Sequence, residues 1–350
     1  MRDLREVSVD LRVAGVPAFL LTILLAAGGS GCGGSGAAAS VKGAGSSLVA
    51  PLVQTWVPPL RDRGLVVEYN AIGSGGGIQA ITTRTVDFGA SDAPLTPDQA
   101  ADCKGCVQIP WALSATAFAY DAKTLGLGLR LTGPVIAGIY LGEITNWSDP
   151  RIAAVNPGKK LPSRGIGLIF RSDASGDTYA LTSYLSQVSS EWKEAVGSGT
   201  LVDFPVGAGG RGNAGVAGML SRTPGGIGYL SAAYAVQNRL AVASIQNAAG
   251  TFVRPDVQGI AAAADAMGTP APDNSISIVD PPASATGAYP ISTFSYAIVP
   301  KSSGKARELK QLLEYAIGPG QEPAERFVFA PLPSQVVELG QKTIASIGSG

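Results

Sequence analysis

The chain has 350 residues, 45% of them hydrophobic and 15% charged, which is too apolar for a disordered chain and long enough for two cores. Lys plus Arg and Asp plus Glu number 26 each, and the resulting net charge of zero speaks against a basic nucleic-acid binder or a polybasic membrane binder. Histidine is absent, which excludes His-dependent triads, His metal ligands and His proton shuttles.

The first element is the apolar run Val13 to Ala27, short for a membrane span but suited to a signal-peptide core. Small residues then lead to Cys32 and a Gly/Ser tether, a pattern similar to a bacterial lipoprotein processing site. Residues 1–31 read as a signal peptide, 32–40 as a tether, and Cys32 as the lipidated first residue of the mature chain. Ordinary secretion with cleavage nearby is the plain alternative. Gly29 stands where such sites carry Leu, and Arg2, Arg5 and Arg12 are balanced by Asp3, Glu6 and Asp10. The two remaining cysteines form Cys103-Lys104-Gly105-Cys106. In a cytosolic chain this would suggest redox chemistry or half a metal site; outside the cytoplasm it reads as a local disulfide.

Beyond the tether, strand-like and helix-like stretches alternate, which means an α/β fold. Leu65 to Asn70 reads as a strand, followed by the glycine turn Gly73-Ser74-Gly75-Gly76-Gly77 and a helix from Ile78. Val86 to Ala90 and Ile166 to Phe170 are further strands. Arg171-Ser172-Asp173-Ala174-Ser175-Gly176-Asp177 follows the latter and leads into a helix through Leu185. Ile227 to Leu230 and Tyr296 to Val299 read as buried strands, and Lys305 to Ile317 and Ser334 to Ile347 as helices. Pro58-Pro59 is expected to break or kink the first helix.

Three segments share one design, in which a strand ends, Gly and Ser follow, and a helix starts: Gly43 to Ser47, Gly73 to Gly77 and Ser175 to Thr178. Each offers bare backbone N–H groups, a hydroxyl and the positive end of a helix dipole, the makings of an oxyanion site. A serine at a helix start is also an ordinary cap, so the reading rests on three such segments with Arg171 before the third. Gly207 to Gly212 matches GxGxxG, but no Asp or Glu occurs between Asp203 and Asp256, which argues against a dinucleotide site.

These residues also carry a family resemblance. Gly43-Ala44-Gly45-Ser46-Ser47-Leu48 and Val86-Asp87-Phe88-Gly89-Ala90-Ser91-Asp92-Ala93-Pro94-Leu95 are similar to the phosphate-binding protein of the bacterial high-affinity phosphate ABC importer. The match continues through Tyr140 to Ile144, Trp147, Asn156-Pro157-Gly158, Arg171 to Gly176, Gly225 to Tyr229, Tyr289 to Ser292 and Pro331 to Ser334. It implies a two-lobed periplasmic-binding-protein fold of type II, each lobe a mixed sheet flanked by helices, with phosphate held between lobes that close on a hinge. Lobe I would comprise 41–115 and 288–350, and lobe II 116–287. Carried over position by position, Ser47 and Leu48 fall on the first-loop contacts and Ser74 on the second-loop hydroxyl. Asp92 falls on the carboxylate that accepts a proton from phosphate, Arg171 on the positive partner, and Ser175 and Gly176 on the helix-start donors. Asp177 stands where the family's common pattern has Thr; its backbone N–H can donate, and its carboxylate can turn to Arg171 or cap the helix. Asp173 is the other candidate partner for Arg171.

Phosphate near neutral pH carries a proton and sulfate carries none, so a buried Asp92 would favour the first and repel the second. The plain alternative for Asp92 is a turn cap before Pro94. The resulting expectation is an extracytoplasmic, lipid-anchored or periplasmic monomer that captures inorganic phosphate and delivers it to ABC-transporter permease subunits. Neither cofactor, metal nor nucleic acid is expected. A different tetrahedral oxyanion, or a phosphate sensor on the same fold, is the nearest alternative. A phosphoesterase would need an activated nucleophile, and Ser47 and Ser175 have no His base.

Overall fold

The computed structural model describes residues 39–349. The signal-peptide reading, Cys32 and the tether up to residue 38 lie outside them. The strands in chain order are β1 (Ala39–Gly45), β2 (Leu65–Ala71), β3 (Phe88–Ser91), β4 (Cys106–Tyr120), β5 (Arg130–Leu131) and β6 (Gly167–Arg171). They continue as β7 (Ala208–Gly210), β8 (Gly226–Ser231), β9 (Ala241–Val242), β10 (Ser244–Gln246), β11 (Phe252–Val253) and β12 (Ser292–Pro300). Ala39 and Ser40, the last two residues of the expected tether, already belong to β1.

The main sheet runs β2-β1-β3-β12-β4-β8-β6-β7, with β9 also paired to β4, while β11-β10-β5 form a small second sheet. β1 is parallel to β2 and β3, and β6 is parallel to β7 and β8. β12 and β4 run antiparallel to their neighbours. The long strand β4 joins the two halves. Its residues Cys106–Ala115 pair with β12, and Thr116–Tyr120 pair with β8. From Gln108 onward it is buried at every position, which explains its nearly unbroken apolar sequence. Pro110 supplies no N–H to the ladder, and here the register shifts: Ser295 faces Ala112, Tyr296 faces Pro110, and Trp111 is the extra residue of a bulge. The Trp111 ring packs edge-on against Trp56 and Phe88, tying strand to helix in the core.

Four helices start beyond the carboxyl ends of parallel strands: Ala50–Asp62 after β1, Ser74–Thr82 after β2, Gly176–Val188 after β6 and Gly212–Leu220 after β7. In open α/β sheets such ends are where ligands bind. The second of these helices begins at Ser74, four residues before the expected Ile78, so the glycine turn is itself helical. Gly77 must be glycine there, since a Cβ would lie 2.5 Å from Gly45 Cα and 2.7 Å from the Ala90 carbonyl oxygen.

The expected break at Pro58-Pro59 does not occur; the helix Ala50–Asp62 runs through both prolines. They fall in its final turns and forfeit only bonds to the Gln54 and Thr55 carbonyls. Leu52, Val53, Trp56 and Leu60 meanwhile hold the opposite face in the core. Cys103 and Cys106 are joined by a disulfide, and Arg84 donates from Nη1 to both sulfurs and from Nη2 to the Cys103 carbonyl. Among the described residues no helix is long and apolar enough to cross a membrane.

Candidate anion-binding site

The three Gly/Ser segments singled out in the sequence converge. Gly75 N donates to the Ala174 carbonyl at 3.1 Å, and Gly176 N donates to Ser74 Oγ at 3.1 Å, bringing the second and third segments together. The first segment meets the helix Gly212–Leu220 instead: Ser47 Oγ accepts from Asn213 Nδ2 at 3.0 Å and from Asn213 N at 3.4 Å.

Asp92 follows β3 and is 1% exposed. Its carboxylate accepts from Ser46 Oγ at 2.7 and 2.5 Å, while its backbone N–H donates to Ser74 Oγ at 3.2 Å. Thr293 of β12 donates to its carbonyl, fixing the turn from the other side. The helix start packs directly on Asp92, and a Cβ at Gly176 would lie 2.3 Å from Asp92 Cβ. Burial pushes the Asp92 carboxyl up from an ordinary 3.8 to about 7; the charge of Asp177 adds to the rise, and Ser46 and Arg171 oppose it.

Arg171 ends β6 and is buried. Its Nε and Nη2 form a two-pronged bond to Asp173, at 2.8 and 2.7 Å, and Nη1 donates to Asp177 Oδ2 at 3.0 Å. Both candidate partners are therefore engaged. Among the described residues three of the five guanidinium N–H groups are used, leaving one on each Nη. Asp177 is fully buried and held on all sides: Thr116 of β4 donates to Oδ1 at 2.9 Å, and Asn213 Nδ2 joins Arg171 on Oδ2 at 3.0 Å. Burial raises the Asp177 carboxyl, against the pull of Arg171, Thr116 and Asn213. Burial also acts upward on Asp173, but its bonds to Arg171 and to Gly212 N outweigh it and hold this carboxyl below the usual range. The helix is capped by Ser175, whose Oγ accepts from Asp177 N at 3.1 Å.

Of the expected site residues, Ser74, Asp92, Ser175, Gly176, Arg171 and Asp177 line one buried cluster, with Ser47 joined to it through Asn213. Leu48 packs its side chain in the core and gives its backbone N–H to Ser46 Oγ at 3.0 Å. Sequence reasoning missed Ser46 as the direct partner of Asp92, although it stands in the quoted Gly43–Ser47 loop. It also missed Thr116, and Asn213, which directly follows the GxGxxG match that was set aside.

The family model of the PBP superfamily domain matches residues 32–319. The phosphate-binding protein PstS of Xylella fastidiosa strain Temecula1 is 39% identical over 304 residues, covering 85% of this chain and 83% of that protein. The phosphate-binding protein PstS of Pasteurella multocida is 38% identical over 307 residues, covering 86% and 88%. Among solved structures, the periplasmic phosphate-binding protein PfluDING with bound phosphate superposes with a TM-score of 0.70 at 20% identity, covering 88% of this chain and 99% of that one. A phosphate-binding protein from Stenotrophomonas maltophilia gives 0.68 at 18% identity, covering 89% and 99%. These structural likenesses carry the two-lobed fold, and the sequence relatives carry the kinship. The chain belongs to the PstS family of phosphate-binding proteins within the PBP superfamily.

Proposed function

We propose that this chain captures inorganic phosphate outside the cytoplasm, between lobes that close on it, and delivers it to the permease of an ABC transporter. It binds its ligand and releases it unchanged. The observation that carries this reading is Asp92: one buried acceptor set among the hydroxyls of Ser46 and Ser74, with the positive guanidinium of Arg171 across the cluster. The ligand contacts are Ser47, Leu48, Ser74, Asp92, Arg171, Ser175, Gly176 and Asp177; the N–H groups of Leu48, Gly176 and Asp177 go to Ser46, Ser74 and Ser175 in the structure, so their contact with the ligand requires those bonds to be exchanged for it. The lobes divide near residues 115 and 287, in keeping with the change of partner along β4 between Ala115 and Thr116. The chain acts as a monomer, tethered through a lipid on Cys32.

Asp92 decides the ligand by counting protons. In its ionised form it accepts a hydrogen bond from protonated phosphate, whereas sulfate brings only lone pairs against it and is received only once Asp92 has itself taken up a proton. Two unit charges 4 Å apart at an effective dielectric of 20 repel by roughly 4 kcal/mol, which sets a ceiling of about a thousandfold in affinity for ionised Asp92. Binding the closed arrangement more tightly than the open one is sufficient to drive closure. Titration calorimetry at pH 8.5, above the value near 7 where Asp92 takes up its proton, tests this: one phosphate per chain with sulfate at least about tenfold weaker is expected. Equal affinity for the two anions would contradict it.

A further inference from the structure

We propose that Asn213 is a positioning residue that makes Ser47 a one-way hydrogen-bond donor when the lobes meet; this rests on the phosphate-capture reading above. A serine hydroxyl carries one proton and two lone pairs, so by itself it serves equally as donor or acceptor. Ser47 Oγ receives two N–H groups from Asn213, the amide at 3.0 Å and the backbone at 3.4 Å. Both lone pairs are then occupied, and the hydroxyl proton is left to point at whatever lies in the cleft. Among the described residues no protein group accepts it.

The Asn213 amide cannot reverse this polarity by flipping. Its Oδ1 accepts from Ser231 N at 2.8 Å, and its second amide proton goes to Asp177 Oδ2 at 3.0 Å. A flipped amide would set N–H against N–H at Ser231 and oxygen against carboxylate at Asp177. The side chain is wholly buried, so each such mismatch costs the full price of desolvation.

Ser74 repeats the device. Its Oγ accepts from Asp92 N at 3.2 Å and from Gly176 N at 3.1 Å, which again directs the hydroxyl proton away from the backbone; here the proton meets Asp92 Oδ2 at 3.4 Å. Ser47 and Ser74 follow β1 and β2, whereas Asn213 and Gly176 follow β7 and β6. Closure thus does more than surround the anion: N–H groups of Asn213 and Gly176 from one lobe occupy lone pairs of hydroxyls from the other. A proton carried by the anion then finds no acceptor at either serine and is left to a carboxylate.

The test is a double-mutant cycle on the full chain with inorganic phosphate, followed by calorimetry and stopped-flow release: wild type, Asn213→Ala, Ser47→Ala and the double variant. Asn213→Ala is expected to weaken binding roughly tenfold or more, chiefly through faster release. Because Asn213 acts through Ser47, the double variant should bind within about twofold of Ser47→Ala alone. Asn213→Ser serves the same cycle if the alanine variant does not fold. Unchanged affinity in the Asn213 variant, or two single effects that multiply in the double variant, would overturn the role of Asn213 while leaving phosphate capture intact. Failure of the wild type to take up phosphate would instead sink the functional reading on which the proposal rests.

Discussion

The ends of β3 and β6 each carry a buried carboxylate, and they handle charge in opposite ways. At β6, Arg171 is bracketed by Asp173 and Asp177, and every carboxylate oxygen there has a donor. At β3, Asp92 has hydroxyls and, among the described residues, no cation in direct contact, and burial holds its proton up to about neutral pH. One region carries compensated charge that fixes geometry; the other carries an acid poised to trade a proton with its guest. A buried charge is tolerable when it is paired, and a buried acid without a cation becomes sensitive to what is placed beside it.

The sharpest way to break this contrast is Arg171→Ala. It leaves Asp173 and Asp177 without their cation inside the protein, so the ligand-free fold should lose about 3–5 kcal/mol, and phosphate binding should weaken by at least about 1.5 kcal/mol. Denaturant unfolding and calorimetry read the two effects, and an unaltered dissociation constant would remove Arg171 from the site.

The proton at Asp92 gives the next effect. Between its ordinary 3.8 and about 7 the folded state holds a proton that the unfolded chain has lost. The unfolded state therefore binds fewer protons, and stability falls as pH rises through this window, by up to about 4 kcal/mol in total. Asp177, also raised, acts in the same direction; Asp173, held low, acts oppositely in more acid solution. Unfolding of the phosphate-free protein at pH 5 and pH 8 should show the decline, and Asp92→Asn should flatten it. A slope that is identical in the variant would place the titration elsewhere.

A smaller effect probes how the two regions meet. Gly176→Ala puts a methyl where Asp92 Cβ already stands, so the helix start and the β3 turn must part. Overpacking of this kind costs about 1–3 kcal/mol, and here it should appear in phosphate affinity more than in the stability of the ligand-free chain. Binding as tight as wild type would mean that the two surfaces do not close on each other in solution.

Much of this was legible in the chain. Strands buried on both faces announce themselves as apolar runs, and β12 is read that way from Tyr296 to Val299; β4, equally apolar, has no turn signal or alternation to mark it and is not among the strands read from the sequence. The Gly/Ser segments were visible because an anion site needs bare N–H groups at helix starts. The interior prolines misled, because Pro58 and Pro59 are judged by local rules while Trp56 and Leu60 hold the helix from the core side. Asn213 was invisible for a different reason. Its role comes from Ser47, 166 residues away in sequence, and from Ser231 and Asp177, none of which local spacing relates to it. Ser46 and Ser47 are adjacent hydroxyls, and only the fold assigns the first to Asp92 and the second to Asn213.

The decisive measurement is a paired titration of wild type and Asp92→Asn with phosphate and with sulfate at pH 8.5, where Asp92 is ionised. Removing the acidic acceptor should collapse the preference, with sulfate gaining and the ratio of the two dissociation constants falling by at least about tenfold, the cost of protonating Asp92 at that pH. A ratio that stays where it was would mean that some other group tells the two anions apart.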